Sequence, residues 1–327
     1  MSALFGLEEL AEATEVVRRH VPPTPQYEWP MLNAVAGSTV VVKHENHTPV
    51  GAFKVRGGLV YLDRLVRERP EVTGIVSATR GNHGQSLAFA GREYGRSVTI
   101  FVPHGNSVEK NASMRSLGAE VVEFGEDFQE ARERSMVVAA KRGLEPVPPF
   151  QRELVLGVAT YAKELFDGAG ALDTIYVPVG MGSGINALIA VRDLLNLETE
   201  IVGVVSENAP ATKLSFEAGG VVTTDSAATF VDGVATRTPD SESISGILGG
   251  AARVIAVPDD VTAEAMRVIY RATHNVAESG GAIGLAGLLS EPPSARGERS
   301  AFVLSGGNVD TAQLHAVLGG ATPTLEL

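Results

Sequence analysis

The stretch His47-Thr-Pro-Val-Gly-Ala-Phe-Lys-Val-Arg-Gly-Gly58 is the segment around which the rest of this 327-residue chain is organised. It places Lys54 among small residues that let a ligand approach the backbone closely. Because Phe53 and Val55 flank the lysine and can exclude water, its amine becomes harder to charge and can act as a nucleophile or form a Schiff base. An ordinary exposed lysine at the start of a helix fits the same letters, since lysines are usually solvated. This stretch alone leaves both interpretations open.

Strands and helices alternate regularly after this stretch. Three strand-helix units between residues 74 and 142 predict a small parallel sheet with helices on its faces, and the proline-rich segment 143–149 is a candidate linker. A second alternation runs from 153 to 304, although residues 219–250 resist assignment. The pattern predicts an α/β protein with two doubly wound, mostly parallel sheet domains. Ligands bind such sheets at the carboxyl ends of the strands, here in the cleft between the domains.

A glycine-rich turn, Val177-Pro-Val-Gly-Met-Gly-Ser-Gly-Ile-Asn186, is the strongest local signal. It follows a predicted strand and precedes a predicted helix, so unhindered backbone N–H groups and the helix dipole converge on one point, where a phosphate fits. A tight turn that merely needs glycine has the same pattern, and the pattern does not establish a dinucleotide site. The residues predicted to bind a phosphate are Gly180, Met181, Gly182, Ser183 and Gly184.

A second loop of this kind is Ser77-Ala-Thr-Arg-Gly-Asn-His-Gly-Gln85. It also follows a predicted strand and opens a helix, with Thr79 or Asn82 as candidate caps. Its free N–H groups suit a carboxylate, whereas a plain capped turn with an incidental histidine is the alternative.

The last predicted strand ends in Leu304-Ser-Gly-Gly-Asn-Val-Asp310. The Ser305 hydroxyl can form one hydrogen bond with a heteroaromatic nitrogen without imposing a charge on it. Taken alone, this segment is explained more simply as a turn.

Together these segments resemble the fold-type II pyridoxal-phosphate enzymes, specifically the serine/threonine dehydratase and serine racemase family, whose fold is tryptophan synthase β-like. The resemblance covers essentially the whole chain, and four motifs occur in the family's order. They are the Schiff-base motif Ala52-Phe-Lys-Val-Arg-Gly57, the substrate-carboxylate loop Gly81-Asn-His-Gly84, the phosphate cup Gly180–Gly184 and the pyridine-nitrogen motif Ser305-Gly-Gly-Asn308.

The resemblance implies a role for each matching residue. Lys54 would hold pyridoxal 5'-phosphate and, once displaced by substrate, act as the base at Cα. Phe53 would pack beside the cofactor ring, Asn82 would touch its O3 and Ser305 would bond its nitrogen. The residues implied in substrate binding are Thr79, Arg80, Gly81, Asn82 and His83. We expect a large cofactor-binding domain from 1–65 and 150–327, and a small substrate-closing domain from 74–148.

Arg80 departs from the family pattern, because racemases of this family place a serine on the opposite face of the ring. The second acid/base group that racemisation needs is therefore not evident. Arg80 can instead clamp an anionic group, such as the substrate's α-carboxylate or a second acidic group, or simply face solvent.

The family's divalent-cation site is also altered. Glu207 and Ala211 fit its first two positions, but Lys213 stands where the second acid belongs. We expect an ammonium in place of a metal and activity that survives chelation.

Composition excludes several classes of function. A net charge of −12 and a pI near 5.1 provide no basic field for nucleic acid or for an anionic membrane. No cysteine is present, so disulfides and thiolate chemistry are ruled out. The absence of a signal sequence or of a membrane-spanning run predicts a cytoplasmic protein, and the family resemblance adds a homodimer.

These features favour a pyridoxal-phosphate-dependent dehydratase (ammonia-lyase) that converts a β-hydroxy-α-amino acid to a 2-oxo acid and ammonia. Serine and threonine are the default substrates, and the departures allow a bulkier or more acidic one, such as phenylserine or 3-hydroxyaspartate. The alternatives are an amino-acid racemase on the same scaffold and a non-catalytic protein that binds the cofactor or an amino acid.

Overall fold

The computed structural model describes residues 4–324. Its strands are β1 (Gln26–Glu28), β2 (Thr39–His44), β3 (Gly74–Ala78), β4 (Ser97–Val102), β5 (Glu120–Glu123), β6 (Glu145–Pro146), β7 (Thr174–Pro178), β8 (Glu200–Ser206), β9 (Arg253–Val257) and β10 (Arg299–Leu304). Its helices are α1 (Leu7–Arg18), α2 (Pro30–Ala36), α3 (Lys54–Glu68), α4 (Asn82–Glu93), α5 (Val108–Ser116), α6 (Phe128–Arg142), α7 (Arg152–Ala169), α8 (Ser183–Leu194), α9 (Ala211–Ala218), α10 (Ser241–Gly250), α11 (Asp259–Thr273), α12 (Ser279–Ser290), α13 (Pro293–Arg296) and α14 (Thr311–Leu318).

The strands form two sheets. A six-stranded sheet has the order β1-β2-β10-β7-β8-β9 and is parallel except for the antiparallel edge strand β1. A four-stranded sheet has the order β5-β4-β3-β6 and is parallel throughout. The predicted α/β class with two mostly parallel sheets is confirmed. The proposed domain boundaries stay a prediction, and their outermost residues, 1–3 and 325–327, lie outside the described range.

The proline-rich segment 143–149 is more than the linker that the sequence predicted. Glu145 and Pro146 form β6, which pairs with β3 at the edge of the small sheet. An edge strand tolerates proline, because the missing N–H would face away from the sheet. Residues 219–250, left unassigned from sequence, contain α10. Its N-cap Asp240 accepts hydrogen bonds from the backbone N–H groups of Glu242 and Ser243.

Helix α3 connects the two halves of the molecule. It packs against α4 of the four-stranded half and against α7. The crossing with α7 is close because Gly57 has no side chain: a Cβ there would lie 2.7 Å from the carbonyl oxygen of Leu154. Lys54, the first residue of α3, is thereby brought to the cleft between the sheets.

Candidate active site

Lys54 begins a helix, as the simpler interpretation required, but its side chain is partly buried. The Nζ atom donates a hydrogen bond to Ser183 Oγ at 2.8 Å and lies 5.1 Å from the centroid of the Phe53 ring. The Phe53 ring meets Tyr161 edge-on, with 6.0 Å between centroids. Desolvation in this setting lowers the pKa of Lys54 to about 8. A usable fraction of the amine is therefore uncharged near neutral pH, which is the form that attacks a carbonyl carbon.

A buried ionic network fixes the start of α3. Arg56 donates to Glu45 Oε2 at 2.8 Å and to Glu164 Oε1 at 2.9 Å, and Lys43 donates to Glu164 Oε2 at 2.7 Å. Burial disfavours these charges, but the neighbouring carboxylates keep the pKa of Arg56 above its usual value. From sequence, Arg56 is recognisable only as one residue of the Schiff-base motif. Its position two residues after Lys54 makes the network an anchor for the reactive amine.

The segment that carries Ser305 runs beside the lysine. The backbone N–H of Phe53 donates to the carbonyl oxygen of Ser305 at 3.0 Å. The buried Ser305 hydroxyl donates to the carbonyl oxygen of Gly280 at 3.2 Å. The two motifs, distant in sequence, are therefore neighbours in the cleft, whereas the predicted bond from Ser305 to a ring nitrogen stays a prediction.

The glycine-rich turn lies between β7 and α8. Gly182 adopts φ +90°, and a Cβ there would overlap Ser243 Oγ. A Cβ on Gly180 would overlap the carbonyl oxygen of Gly233. The first described intrahelical bond of α8 runs from Asn186 N to the Gly182 carbonyl, so the N–H groups before Asn186 have no intrahelical acceptor. The turn is thus an open cradle of backbone donors that suits a phosphate.

The remaining residues of the turn have supporting positions. Met181 packs against the hydrophobic core, and the Gly184 carbonyl accepts a hydrogen bond from the Tyr161 hydroxyl at 3.3 Å. Ser183 connects the cradle to Lys54 through its hydroxyl. A phosphate in the cradle and a group attached to the lysine would consequently lie on the two sides of Ser183.

The loop before α4 contributes Asn82. Gly81 is the N-cap of α4 without a side-chain bond, and Thr79 Oγ1 accepts from Gly81 N at 3.1 Å, so the predicted capping by Thr79 or Asn82 is wrong. Asn82 instead donates from Nδ2 to Glu278 Oε1 at 2.5 Å, and its Oδ1 accepts from Asn308 Nδ2 at 2.8 Å. The amide is thus held from both sides at the first turn of the helix.

His83 is buried next to Asn82. Burial lowers its pKa to about 3, so the ring is neutral, and a bond with the Val147 backbone fixes one side of it. Its Nε2 atom has no hydrogen-bond partner among residues 4–324. His83 lines a small pocket together with Lys54, Pro149 and Ser183. An unpaired acceptor at such a place suits a ligand, and the predicted role in substrate binding remains a prediction.

Arg80 is exposed on the same loop, and its guanidinium makes no hydrogen bond or ion pair within the described chain. It is therefore free to meet an anionic group that enters the cleft. Which substrate group it meets stays a prediction.

The residues of the candidate cation site lie on α9 and in the segment just before it. Lys213 Nζ pairs with Glu217 at 2.5 Å, one turn along α9, and Glu207 is exposed. Ala211 is buried at the start of that helix. Across residues 4–324 there is no group of three or more His, Asp or Glu side chains arranged to hold a metal ion.

Three ionisable residues near Asn82 were not predicted from the sequence: Lys110, Asp232 and Glu278. Lys110 Nζ lies 3.1 Å from Asp232 Oδ2 and 4.0 Å from Glu278 Oε2. Lys110 and Asp232 are 122 positions apart in the chain, so no local pattern links them. No local signal in the sequence therefore identifies these three residues as a cluster.

The fold and the site together define an enzyme that anchors a phosphorylated aldehyde cofactor to a lysine. The low-pKa amine and the cradle of backbone donors, joined through Ser183, fit the two ends of such a cofactor. The chain belongs to the family described as "Pyridoxal-phosphate dependent enzyme", which matches residues 17–306. Its cofactor is pyridoxal phosphate.

Proteins of similar sequence indicate the type of reaction within this family. The chain is 29% identical over 316 residues to the L-threonine ammonia-lyase of Thermotoga maritima, covering 96% of this chain and 78% of the relative. It is 32% identical to the biosynthetic L-threonine dehydratase of Salmonella typhimurium, covering 88% of this chain and 56% of that protein. It is 29% identical to an L-threo-3-hydroxyaspartate ammonia-lyase of Pseudomonas, covering 97% and 99%. These relatives confirm the prediction of an ammonia-lyase type of enzyme.

Solved structures share the fold. Threonine deaminase isoform 2 from Solanum lycopersicum superposes with a TM-score of 0.87 at 26% identity, covering 97% of this chain and 95% of that one. A pyridoxal 5'-phosphate-dependent aspartate racemase superposes with a TM-score of 0.88 at 25% identity, covering 94% and 97%. Lyases and a racemase are thus built on one scaffold, so side chains in the cleft must distinguish the reactions.

Proposed function

We propose that this protein eliminates water from a β-hydroxy-α-amino acid and that the released enamine then takes up water to give a 2-oxo acid and ammonia. The observation that carries the proposal is the placement of Lys54, whose amine has a pKa near 8 and lies 2.8 Å from Ser183 in the phosphate cradle. The ammonia-lyases among its relatives support the same reaction.

The residues divide the chemistry between them. Pyridoxal phosphate, when bound, acidifies the Cα proton of an attached amino acid by withdrawing electrons. Lys54 holds the cofactor and, once released by the substrate amine, takes the proton from Cα. The N–H groups of the glycine turn bind the phosphate, and those of the Gly81–His83 loop bind the α-carboxylate. Asn82 and Ser305 orient the ring through its oxygen and nitrogen.

The substrate is expected to be serine or threonine, with an acidic β-hydroxy amino acid as the main variant. The Arg80 guanidinium is exposed and has no hydrogen-bond or ion-pair partner among residues 4–324, and a relative of nearly equal length is named L-threo-3-hydroxyaspartate ammonia-lyase. A guanidinium can bind a second carboxylate in a bidentate manner. The relevant experiment supplies L-serine, L-threonine, phenylserine and threo-3-hydroxyaspartate and measures both the keto acid and ammonia.

A matched pair of variants controls that experiment. Lys54→Ala should abolish turnover, whereas Lys141→Ala, which removes an exposed lysine on α6, should leave it unchanged. Turnover that persists in Lys54→Ala would refute the assignment. A protein that binds the cofactor but converts no amino acid of the panel would instead be a binding protein.

Racemisation is the second candidate, because an aspartate racemase shares the fold. It needs a second proton donor on the face of Cα opposite Lys54. In the family pattern a serine fills that position, where this chain carries Arg80. Chiral analysis of the amino acid that remains after incubation distinguishes the two: D-enantiomer without keto acid would favour racemisation.

A cytoplasmic homodimer remains the expected assembly and location. Among residues 4–324, no helix combines the length and hydrophobicity needed to cross a bilayer.

Met31 and Val35, four residues apart on α2, are 60% and 55% exposed, and the nearby Tyr27 is 52% exposed. Apolar side chains on one helix face support burial against a second copy. Light scattering of the parent and of Met31→Asp tests this: the parent should be a dimer and the variant a monomer.

A further inference from the structure

A buried lysine links the two halves of the molecule beside the site. Lys110 lies on α5, which packs against α4 and β5 of the four-stranded half. Its Nζ reaches Asp232 at 3.1 Å and Glu278 at 4.0 Å. Asp232 lies in a short 3-10 turn, and Glu278 immediately precedes α12 of the six-stranded half. Burial opposes the ammonium charge, but the two acids, with Asp310 further away, raise the pKa of Lys110, so the side chain is charged.

Glu278 connects this lysine to the cofactor site. Its Oε1 accepts the hydrogen bond from Asn82 Nδ2 at 2.5 Å, while its Oε2 faces Lys110. Burial and the charge of Asp232 raise the pKa of Glu278, whereas Lys110 and Asn82 act in the opposite direction. One hydrogen of Asn82 Nδ2 is thereby committed to Glu278, and the second remains for the cofactor oxygen.

Two more contacts hold α5 in this position. Ser107 Oγ donates to Asp310, and it also caps α5 by accepting from Lys110 N at 3.0 Å. Thr311 N donates to Glu109 Oε1 at 3.0 Å. These contacts join the first turn of α5 to the first turn of α14 across the cleft. The position of Lys110 is therefore determined by both halves of the protein.

We propose that Lys110 is a positioning residue for the lyase reaction: its ammonium holds the Glu278 carboxylate, which orients the Asn82 amide against the cofactor ring. Lys110 does not touch the reacting atoms. It compensates the buried Glu278 carboxylate, which Asp232 would otherwise repel and turn away from Asn82. The inference rests on the proposed function only where turnover is the readout.

The test compares Lys110→Met with the double variant Lys110→Met/Glu278→Gln. The single variant should lose about 10²-fold in kcat/KM, since a displaced orienting group costs that much. The loss should be greatest at alkaline pH and should shrink as the pH falls, because Glu278 without its nearby cation takes up a proton more readily and the neutral side chain is no longer repelled by Asp232. The double variant should recover most of the activity at every pH, since a neutral glutamine needs no cation and its carbonyl still accepts from Asn82. Lys141→Met, on the exposed face of α6, should behave like the parent.

Each of the following outcomes would overturn the proposal. An unchanged pH profile and kcat/KM in Lys110→Met would mean that the lysine orients nothing. A double variant as inactive as the single one would mean that the ammonium acts on the substrate itself. If Lys110→Met does not fold, the double variant is compared with Glu278→Gln alone: a further loss of about 10²-fold in the double variant would mean that Lys110 does not act through Glu278.

Two readouts do not require a substrate and separate this proposal from the proposed function. Lys110→Met should lower the Tm of the purified protein and change the absorption spectrum of its bound cofactor, and the double variant should restore both. This pattern supports the positioning role even if no β-hydroxy amino acid is converted. The absence of any spectral change in Lys110→Met would refute it.

Discussion

The Nζ atom of Lys54 and the Oγ atom of Ser183 lie 2.8 Å apart, although 129 positions separate the two residues in the chain. This hydrogen bond joins the first residue of α3 to the first residue of α8. The amine is thereby held against the helix terminus that provides the phosphate cradle, so the two ends of one cofactor can be bound together.

The rate at which pyridoxal phosphate attaches to the apoprotein should rise with pH through a midpoint near 8. Only the uncharged amine attacks the aldehyde, and burial lowers the pKa of Lys54 to about 8, so its uncharged fraction grows as pH increases past that value. Stopped-flow absorbance of cofactor binding measures the midpoint. Lys141→Ala should leave it unchanged, and a midpoint near 10.5, the ordinary lysine value, would contradict the assignment.

Gly182→Ala should destabilise the protein and weaken cofactor binding. Gly182 has φ +90°, which costs a residue with a side chain about 1–2 kcal/mol, and its added Cβ would also overlap Ser243 Oγ. We expect the free energy of unfolding to fall by about 2 kcal/mol or more, measured in urea. Gly220→Ala is the matched control, since a Cβ there meets no atom within 4 Å. Equal effects of the two substitutions would argue against a strained cradle.

The alternation of strands and helices was predictable because β-branched runs and glycine turns are local signals. β3, β4 and β5, which begin at Gly74, Ser97 and Glu120, are the strands of the three strand-helix units expected between residues 74 and 142. β6 was missed because its proline-containing segment becomes a strand only through pairing with β3. α10 was missed because its glycine and serine content hides the cap at Asp240.

The residues of the candidate active site also differ in whether the sequence alone identifies them. Lys54, the glycine turn and the Gly81–His83 loop carry local signatures, and the fold brings the first two into contact at Ser183. Lys110 and Glu278 carry none, because a buried charge becomes recognisable only when its partner is known. Arg56 shows the same limit: it is fully buried, and its partners Glu45 and Glu164 come from other elements.

Arg56→Leu should strongly destabilise the protein. It leaves the buried carboxylates of Glu45 and Glu164 without their main cation, and breaking a buried ion pair in this way costs about 3–5 kcal/mol. Urea unfolding measures the loss. Arg67→Leu removes a more exposed partner of Asp63 on the same helix and should cost about 1 kcal/mol or less. A similar small cost for Arg56→Leu would show that the network does not anchor α3.

Activity should survive treatment with a chelator. Lys213 pairs with Glu217, and within residues 4–324 no cluster of acids and histidines offers a metal enough ligands. Keto acid formation is to be assayed after EDTA treatment and again after magnesium is added back. A loss that magnesium restores would show a dependence that these side chains do not explain.

Arg80→Ala should separate acidic from neutral substrates. The Arg80 guanidinium is exposed on the loop before α4 and has no hydrogen-bond or ion-pair partner among residues 4–324, so its loss leaves the fold intact. If it binds a second carboxylate, kcat/KM for threo-3-hydroxyaspartate should fall by about 10–10²-fold, the effect of one charge-assisted hydrogen bond, while threonine is little affected. Arg80→Lys keeps the positive charge but cannot form two parallel hydrogen bonds to a carboxylate, so it should recover only part of the activity that Arg80→Ala loses. An equal loss for both substrates would place Arg80 on the α-carboxylate that they share, and no loss for either would leave it facing solvent.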